Sequence, residues 1–228
     1  MEGLSQDSDS CHAPFSRSPG AGGAGEVGVK QVRAVRTRST ILQAAAEAFD
    51  RHGYAGTALA CVTREAGTSM GALTFHFPTK PDLADAVQAS GAGITRDVVA
   101  RVAALPVSSV SRARALALAL ARLLAECTVV RATARLTRER AMPELWTGVW
   151  FGCLVEQLRE AHAEGRLRGE VTPETFAEAV QFLLTGIEEC TRCAPAEAHA
   201  DATAVRRIAR AWDLLMYGAA CPPEHVGR

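Results

Sequence analysis

The stretch from Thr57 to Phe77, Thr-Ala-Leu-Ala-Cys-Val-Thr-Arg-Glu-Ala-Gly-Thr-Ser-Met-Gly-Ala-Leu-Thr-Phe-His-Phe, is compatible with few folds. Leu59, Val62 and Ala66 recur at i, i+3 and i+7, one face of a short helix with Thr57 as its N-cap. Gly67 marks a sharp turn that favours φ > 0, which a residue without Cβ adopts at least strain. Ser69 caps a second helix, and Leu73 points back toward Leu59 and Val62. Two helices this short do not stand alone. Together they read as a helix-turn-helix whose second helix, small at Gly71 and Ala72, suits a DNA major groove, although any helical hairpin with a Gly turn shares the pattern.

The rest of the chain favours helices throughout. With 228 residues, 48% hydrophobic and 5% aromatic, and with abundant Ala, Leu, Arg and Glu, it is expected to be all-α, with a substantial core. A formal net charge of zero argues at first against nucleic acid. The charge is sorted by segment, however: Val29 to Lys80 carries seven Lys and Arg against three acidic residues, whereas Pro143 to Glu189 is rich in Glu. Residues 1–28, dominated by Gly, Ser, Ala and Pro, are expected to be a disordered tail, and 221–228 a second tail. A DNA-binding domain is expected over 29–78 and a ligand-binding and dimerisation domain over 79–220.

Within the first domain, Lys30, Arg33, Arg36 and Arg38 precede Ile41, Leu42, Ala45, Ala48 and Phe49 in an amphipathic helix ending near His52-Gly53. Thr79, Pro81 and Asp82 then open a long helix with a cap, a first-turn Pro and an acid at the positive end, placing Lys80 near phosphate. Gly91 and Gly93 interrupt that helix, each costing about 1 kcal/mol relative to Ala. They read either as a hinge or as a place where a neighbouring helix packs closely.

Further on, Leu116, Leu120, Leu123 and Leu124 form one apolar face, Phe176 to Ile187 another and Val205 to Leu215 the last; the latter two are expected to pair two copies as a four-helix interface. Glu144 to Glu164 carries Leu145, Trp146, Val149, Trp150, Phe151, Cys153, Leu154 and Val155, and is expected to be a helix buried nearly all round. An apolar interior with two indole N–H donors suits a small ligand, although a Trp is more commonly plain core. Trp146 and Trp150, with Gln181 and Thr185 on the following helix, are the candidate ligand residues.

Arg36-Thr-Arg, Ile41, Ala44-Ala-Ala, Phe49, Gly53-Tyr, Thr57, Ala66-Gly, Gly71-Ala-Leu, Phe75-His-Phe, Lys80 and Leu83, in this order and spacing, resemble the TetR family of bacterial repressors. Phe75-His76-Phe77 with Val130-Arg131-Ala132 and Arg135-Leu136 resembles its γ-butyrolactone receptor branch, found in actinomycete signalling. The resemblance implies a homodimeric repressor of double-stranded DNA operators, with Arg36, Arg38, Thr57, Ser69, Met70, Gly71, Thr74, His76 and Lys80 facing DNA. It also implies a small-molecule effector, since Trp146 lines up with the Trp that receives the lactone ring; for Trp150 plain core is preferred. Two positions depart from the family pattern. Met70 and Thr74 stand where a Lys and a phosphate-binding Tyr are usual, and they can still serve thymine methyls or phosphate.

Other classes fit less well. Cys11, Cys61, Cys127, Cys153, Cys190, Cys193 and Cys221 lack the spacing of a disulfide framework, which suits a reducing cytoplasm, and Cys190-Thr-Arg-Cys193 lacks the second ligand pair of a zinc site. Neither metal nor cofactor is expected. No apolar run reaches the roughly 18 residues of a membrane span, and no signal core is present at the N-terminus. A helical hydrolase built on Cys153, Glu156 and His162 has no recognisable catalytic constellation. An effector of another kind, such as an antibiotic, is the nearer alternative.

Overall fold

The structure, a computed structural model, describes residues 23–142, 145–193 and 201–219, with side chains from 31 to the end of the second segment and from 203 onward. In order these form α1 (Gly23–Gly56), α2 (Leu59–Glu65), α3 (Met70–His76), α4 (Lys80–Ala103), α5 (Ser109–Glu126), α6 (Thr128–Glu139), α7 (Thr147–Ala163), α8 (Pro173–Cys193) and α9 (Asp201–Ala219). The architecture is all-α, as the composition implies. Residues up to Arg36 separate from the rest as a unit of their own, a helical stretch exposing Val32 and Val35. From Thr37 onward the chain is one packed unit.

That larger unit has two apolar cores. The first gathers Ile41, Phe49, Val62, Leu73, Phe77, Leu83 and Val87 from α1 to α4 with Leu136 of α6. The second gathers Leu116, Leu120, Leu124, Trp146, Trp150, Leu154, Leu158, Val180, Leu184, Ile208 and Trp212. Ile94 and Cys127 pack against both. Val62 and Leu73 are wholly buried, which is worth about 1.5–3 kcal/mol for each side chain and explains how two seven-residue helices persist. Helix α4 opens on a complete capping box: the Asp82 N–H donates to the Thr79 hydroxyl, and the Asp82 carboxylate accepts from the Thr79 N–H.

Several expectations are corrected. Helix α1 starts at Gly23 rather than Val29, because extending a nucleated helix costs far less than starting one; the remainder of the N-terminal tail, and the C-terminal one, lie outside the described residues. Thr57 is not an N-cap. Ala58 occupies that position without a side-chain bond, while the buried Thr57 hydroxyl donates to the carbonyls of Gly53 (2.7 Å) and Ala48 (3.1 Å). Helix α7 begins only at Thr147, after Trp146 at φ −125°, and Gly148, Gly152 and Glu156 leave one side of it exposed. Burial there is one-sided because Trp150, Leu154, Val155, Leu158 and Ala161 face the core while the opposite side does not.

The glycine pair in α4 does not act as one feature. A Cβ on Gly91 would lie 2.8 Å from the Thr133 Cβ and 3.0 Å from the Val129 carbonyl oxygen, whereas one on Gly93 would meet nothing within 4 Å. Gly91 is therefore where α6 approaches α4. The Thr133 hydroxyl closes that approach by donating to Val129 (2.8 Å) in its own helix and to Val87 (3.1 Å) in α4.

Candidate DNA-reading head and ligand site

Helix α3 has two sides. Leu73 enters the first core, and Phe77 follows it as the buried C-cap. Met70, Gly71, Thr74 and Phe75 face outward, Phe75 with 81% of its surface exposed. Gly67 makes the turn at φ 59°, and the Ser69 hydroxyl accepts from the Ala72 N–H at 3.1 Å, both as the sequence implies. The Thr74 hydroxyl shares its proton between the Met70 and Gly71 carbonyls at 3.0 and 3.2 Å, leaving its methyl group and its lone pairs to solvent.

The other proposed reading residues divide. Arg38 is exposed and its guanidinium stacks 4.9 Å from the centre of the Phe77 ring, so it is held where α1 meets the end of α3. Arg36 is exposed on the separate N-terminal unit. His76 is partly buried, edge-on to Phe75 at 5.1 Å. Lys80 turns inward: its ammonium lies 4.7 Å over the Tyr54 ring and 3.5 Å from the Ala55 carbonyl. Thr57 is a core residue and presents nothing to DNA. Sequence reasoning missed Phe75 as an outward-facing group, since an aromatic in an apolar pattern reads as core.

A polar seam joins the end of α1 to α6. Arg131 pairs with buried Asp50 at 2.9 Å and also donates to the Leu124 and Ala125 carbonyls. Arg135 donates to the Asp50 carbonyl at 2.6 Å and to Glu139 at 2.6 Å, and Glu139 accepts from the Tyr54 N–H at 2.5 Å. Burial opposes ionisation of Glu139, but the Tyr54 and Arg135 bonds outweigh it and hold its pKa below the usual value of 4.5. Asp50 is shifted the other way, because its desolvation exceeds what Arg131 returns. Arg140 bonds Asp85 at 2.6 Å and Gln88, with its guanidinium 5.3 Å from the Tyr54 ring. On α6, Arg138 also grips fully buried Glu188 of α8, which Arg192 holds at 2.7 Å.

In the second core the Trp146 and Trp150 rings meet edge to face at 5.6 Å. Both are buried, and neither indole N–H has a hydrogen-bond partner in the protein. The same holds for the Gln88 amide nitrogen and the Thr137 hydroxyl. A buried donor left unmet costs about 1–3 kcal/mol, so the two indole donors, whose rings touch, call for an acceptor beyond packing. Gln181 and Thr185 do not join them: the Thr185 hydroxyl donates to the Gln181 carbonyl at 3.0 Å, and both sit on the flank of α8 beside exposed Phe182. A separate apolar groove of about 570 Å³, between α4, α5 and α9, is lined by Val98, Val102, Leu118, Leu123 and Val205 and includes neither Trp.

The hydrolase constellation is not assembled. Burial pushes the Cys153 thiol up rather than toward thiolate, and His162, nine residues further along α7, lies on the opposite side of the helix about 13 Å along its axis. Among the described residues no group of three or more His, Cys, Asp or Glu is placed to hold a metal. Nor is any described helix long and apolar enough to cross a membrane.

Residues 41–87 match the model of the bacterial regulatory proteins of the tetR family. The chain carries a TetR-family DNA-binding domain. The chain is 31% identical over 163 residues to the A-factor receptor protein of Streptomyces griseus, a match spanning 70% of this chain and 56% of that receptor. A crystal structure of a γ-butyrolactone receptor, an ArpA-like protein, superposes with a TM-score of 0.68 at 29% identity over 82% of this chain and 90% of its own. CprB of Streptomyces coelicolor, solved in complex with its biological operator sequence, gives 0.67 at 28% identity over 83% and 90%. The family matched over residues 41–87 is one of regulatory proteins, not of enzymes.

Proposed function

We propose that this protein is a cytoplasmic, ligand-responsive transcriptional repressor that binds a palindromic DNA operator as a homodimer and is released by a small lactone-like, butenolide or furan molecule. The observation that carries the reading is the sidedness of α3. One face locks the helix to the first core through Leu73, and the other offers Met70, Gly71, Thr74 and Phe75 to a groove. Similarity to the A-factor receptor and to operator-bound CprB supports DNA binding and signal response together. The unmet indole donors of Trp146 and Trp150 support a ligand carrying acceptor oxygens.

The dimer face differs from the one implied by the apolar faces of α8 and α9. Phe176, Val180, Leu184, Ile187, Ile208 and Trp212 are consumed inside the protomer, while Phe182, Leu214 and Tyr217 stay 73%, 74% and 86% exposed. These three are the proposed contact. Recovery of protein-bound fragments from random genomic duplexes tests the function. A palindromic consensus with half-sites about one helical turn apart, bound less tightly as salt rises, is expected. Absence of any enriched sequence would refute the reading.

A further inference from the structure

Helix α5 is apolar on two sides, and only one of them is spent on the second core. Leu116, Leu120 and Leu124 are wholly buried, whereas Leu118 and Leu123 stay half-buried and line the groove between α4, α5 and α9. Val98 and Val102 of α4 and Val205 of α9 supply its other walls. At 1.5 Å per helical residue, the α4 wall runs about 10 Å from Val98 to Leu105 and the α5 wall about 16 Å from Ala115 to Glu126. The groove holds about 570 Å³, within the range of small-molecule sites and short of the broad face that a protein partner needs. Its length and apolar walls suit an extended alkyl chain, each methylene of which gains up to about fourfold in affinity on leaving water.

Three charged residues stand among the lining groups, and they are not equivalent. Arg122 is paired with Glu126, one turn along the same helix, at 3.4 Å. Arg101, exposed on the last turn of α4, has no hydrogen bond or ion pair with any described residue. The groove therefore carries one uncompensated positive charge, fixed beside an apolar slot. A cationic amphiphile would be repelled there, and a neutral one would leave the guanidinium unused. We propose that this groove is a second small-molecule site, separate from the tryptophan pair, that takes an amphiphilic monocarboxylate: the alkyl chain lies among Val102, Leu118 and Leu123, and the carboxylate meets Arg101. The site goes beyond the function proposed above and does not depend on it.

The test uses the full chain and two probes of equal chain length, decanoate and 1-decanol, titrated by calorimetry below the concentrations at which either self-associates. An alcohol enters plain apolar surface more readily than a carboxylate does, so a site that prefers the acid must supply a positive charge. The wild type is expected to bind decanoate about fivefold more tightly than decanol, the upper end for an exposed charge pair. Arg101→Gln should bring that ratio to about one or below while decanol affinity stays as it was. Ala119→Trp, which sets an indole into the groove, should weaken both probes by about tenfold or more, with thermal unfolding confirming that the variant is folded. Should Ala119→Trp fail to fold, the Arg101→Gln ratio decides alone. A wild type that prefers decanol or binds neither probe, an Arg101→Gln variant that keeps the preference, or a folded Ala119→Trp variant that keeps both affinities would overturn the site. Operator recovery is measured without either probe, so failure here leaves the repressor reading standing, and failure there leaves this site standing.

Discussion

The carboxylate of Glu139 closes over Gly53 so tightly that a Cβ on that glycine would lie 2.5 Å from its Oε1. Gly53 itself sits at φ 72°, ψ 178°, a backbone region occupied almost only by glycine. Gly53→Ala therefore adds about 1–3 kcal/mol of backbone strain and expels Glu139 from the Tyr54 N–H. Thermal unfolding of the variant should show a lowered midpoint. An unchanged midpoint would mean that the seam between α1 and α6 is not closed this way in solution.

Acid should weaken the same seam. Glu139 titrates below its usual 4.5, so its stabilisation is fully present above that value and is lost as pH falls through the lowered folded value. Asp50, raised by burial, works in the opposite sense: its penalty is relieved as pH falls through its raised value. Glu139→Gln should flatten the loss of stability below pH 4.5, measured by urea unfolding at stepped pH. Asp50→Asn should not flatten it.

The two glycines of α4 should respond with opposite signs. Gly91→Ala drives a methyl group into Thr133 and is expected to destabilise by about 1–3 kcal/mol. Gly93→Ala enters open space in a helix and should stabilise by up to about 1 kcal/mol. Chemical denaturation of each single variant checks the pair, and equal effects would sink the distinction.

On the reading head, Met70→Ala, Thr74→Ala and Phe75→Ala should change which operator sequence is preferred, because their side chains leave the outer face of α3. Arg38→Ala should weaken all sequences alike and reduce the salt slope. Thr57→Val should lower stability by removing the hydroxyl proton shared between the Gly53 and Ala48 carbonyls and leave sequence preference intact. Fragment selection repeated with each variant separates these classes.

For the dimer, Leu214→Glu with Tyr217→Glu should yield a folded monomer in light scattering, because neither side chain belongs to the protomer core. Operator binding should fall with it. A dimer that survives both changes places the contact elsewhere.

Local rules made the reading head legible. The Gly67 turn, the Ser69 cap, the inward Leu73 and the Thr79–Asp82 box depend on residues within four positions of one another, and each stands where the sequence places it. Arg131 with Asp50, and Arg135 with the Asp50 carbonyl, span 81 and 85 residues, a pairing that no local periodicity reports. Lys80 has the same lesson: its position at a helix start suggests phosphate, while the Tyr54 ring that claims it comes from a different helix. In the ligand part, Trp146 stood out through the family resemblance, since by residue type alone a Trp reads as plain core, the reading preferred for Trp150.

Glu188 shares one carboxylate between Arg138 of α6 and Arg192 of its own helix, and that helix also carries Phe182 of the proposed dimer contact. The proposed dimer contact on α8 and the α6 side of the reading head would thereby be tied to a single buried charge. A lineage cannot alter that acid alone without stranding two arginines, so a new partner specificity on α8 and a new operator spacing would tend to arise together, through coordinated change at all three positions.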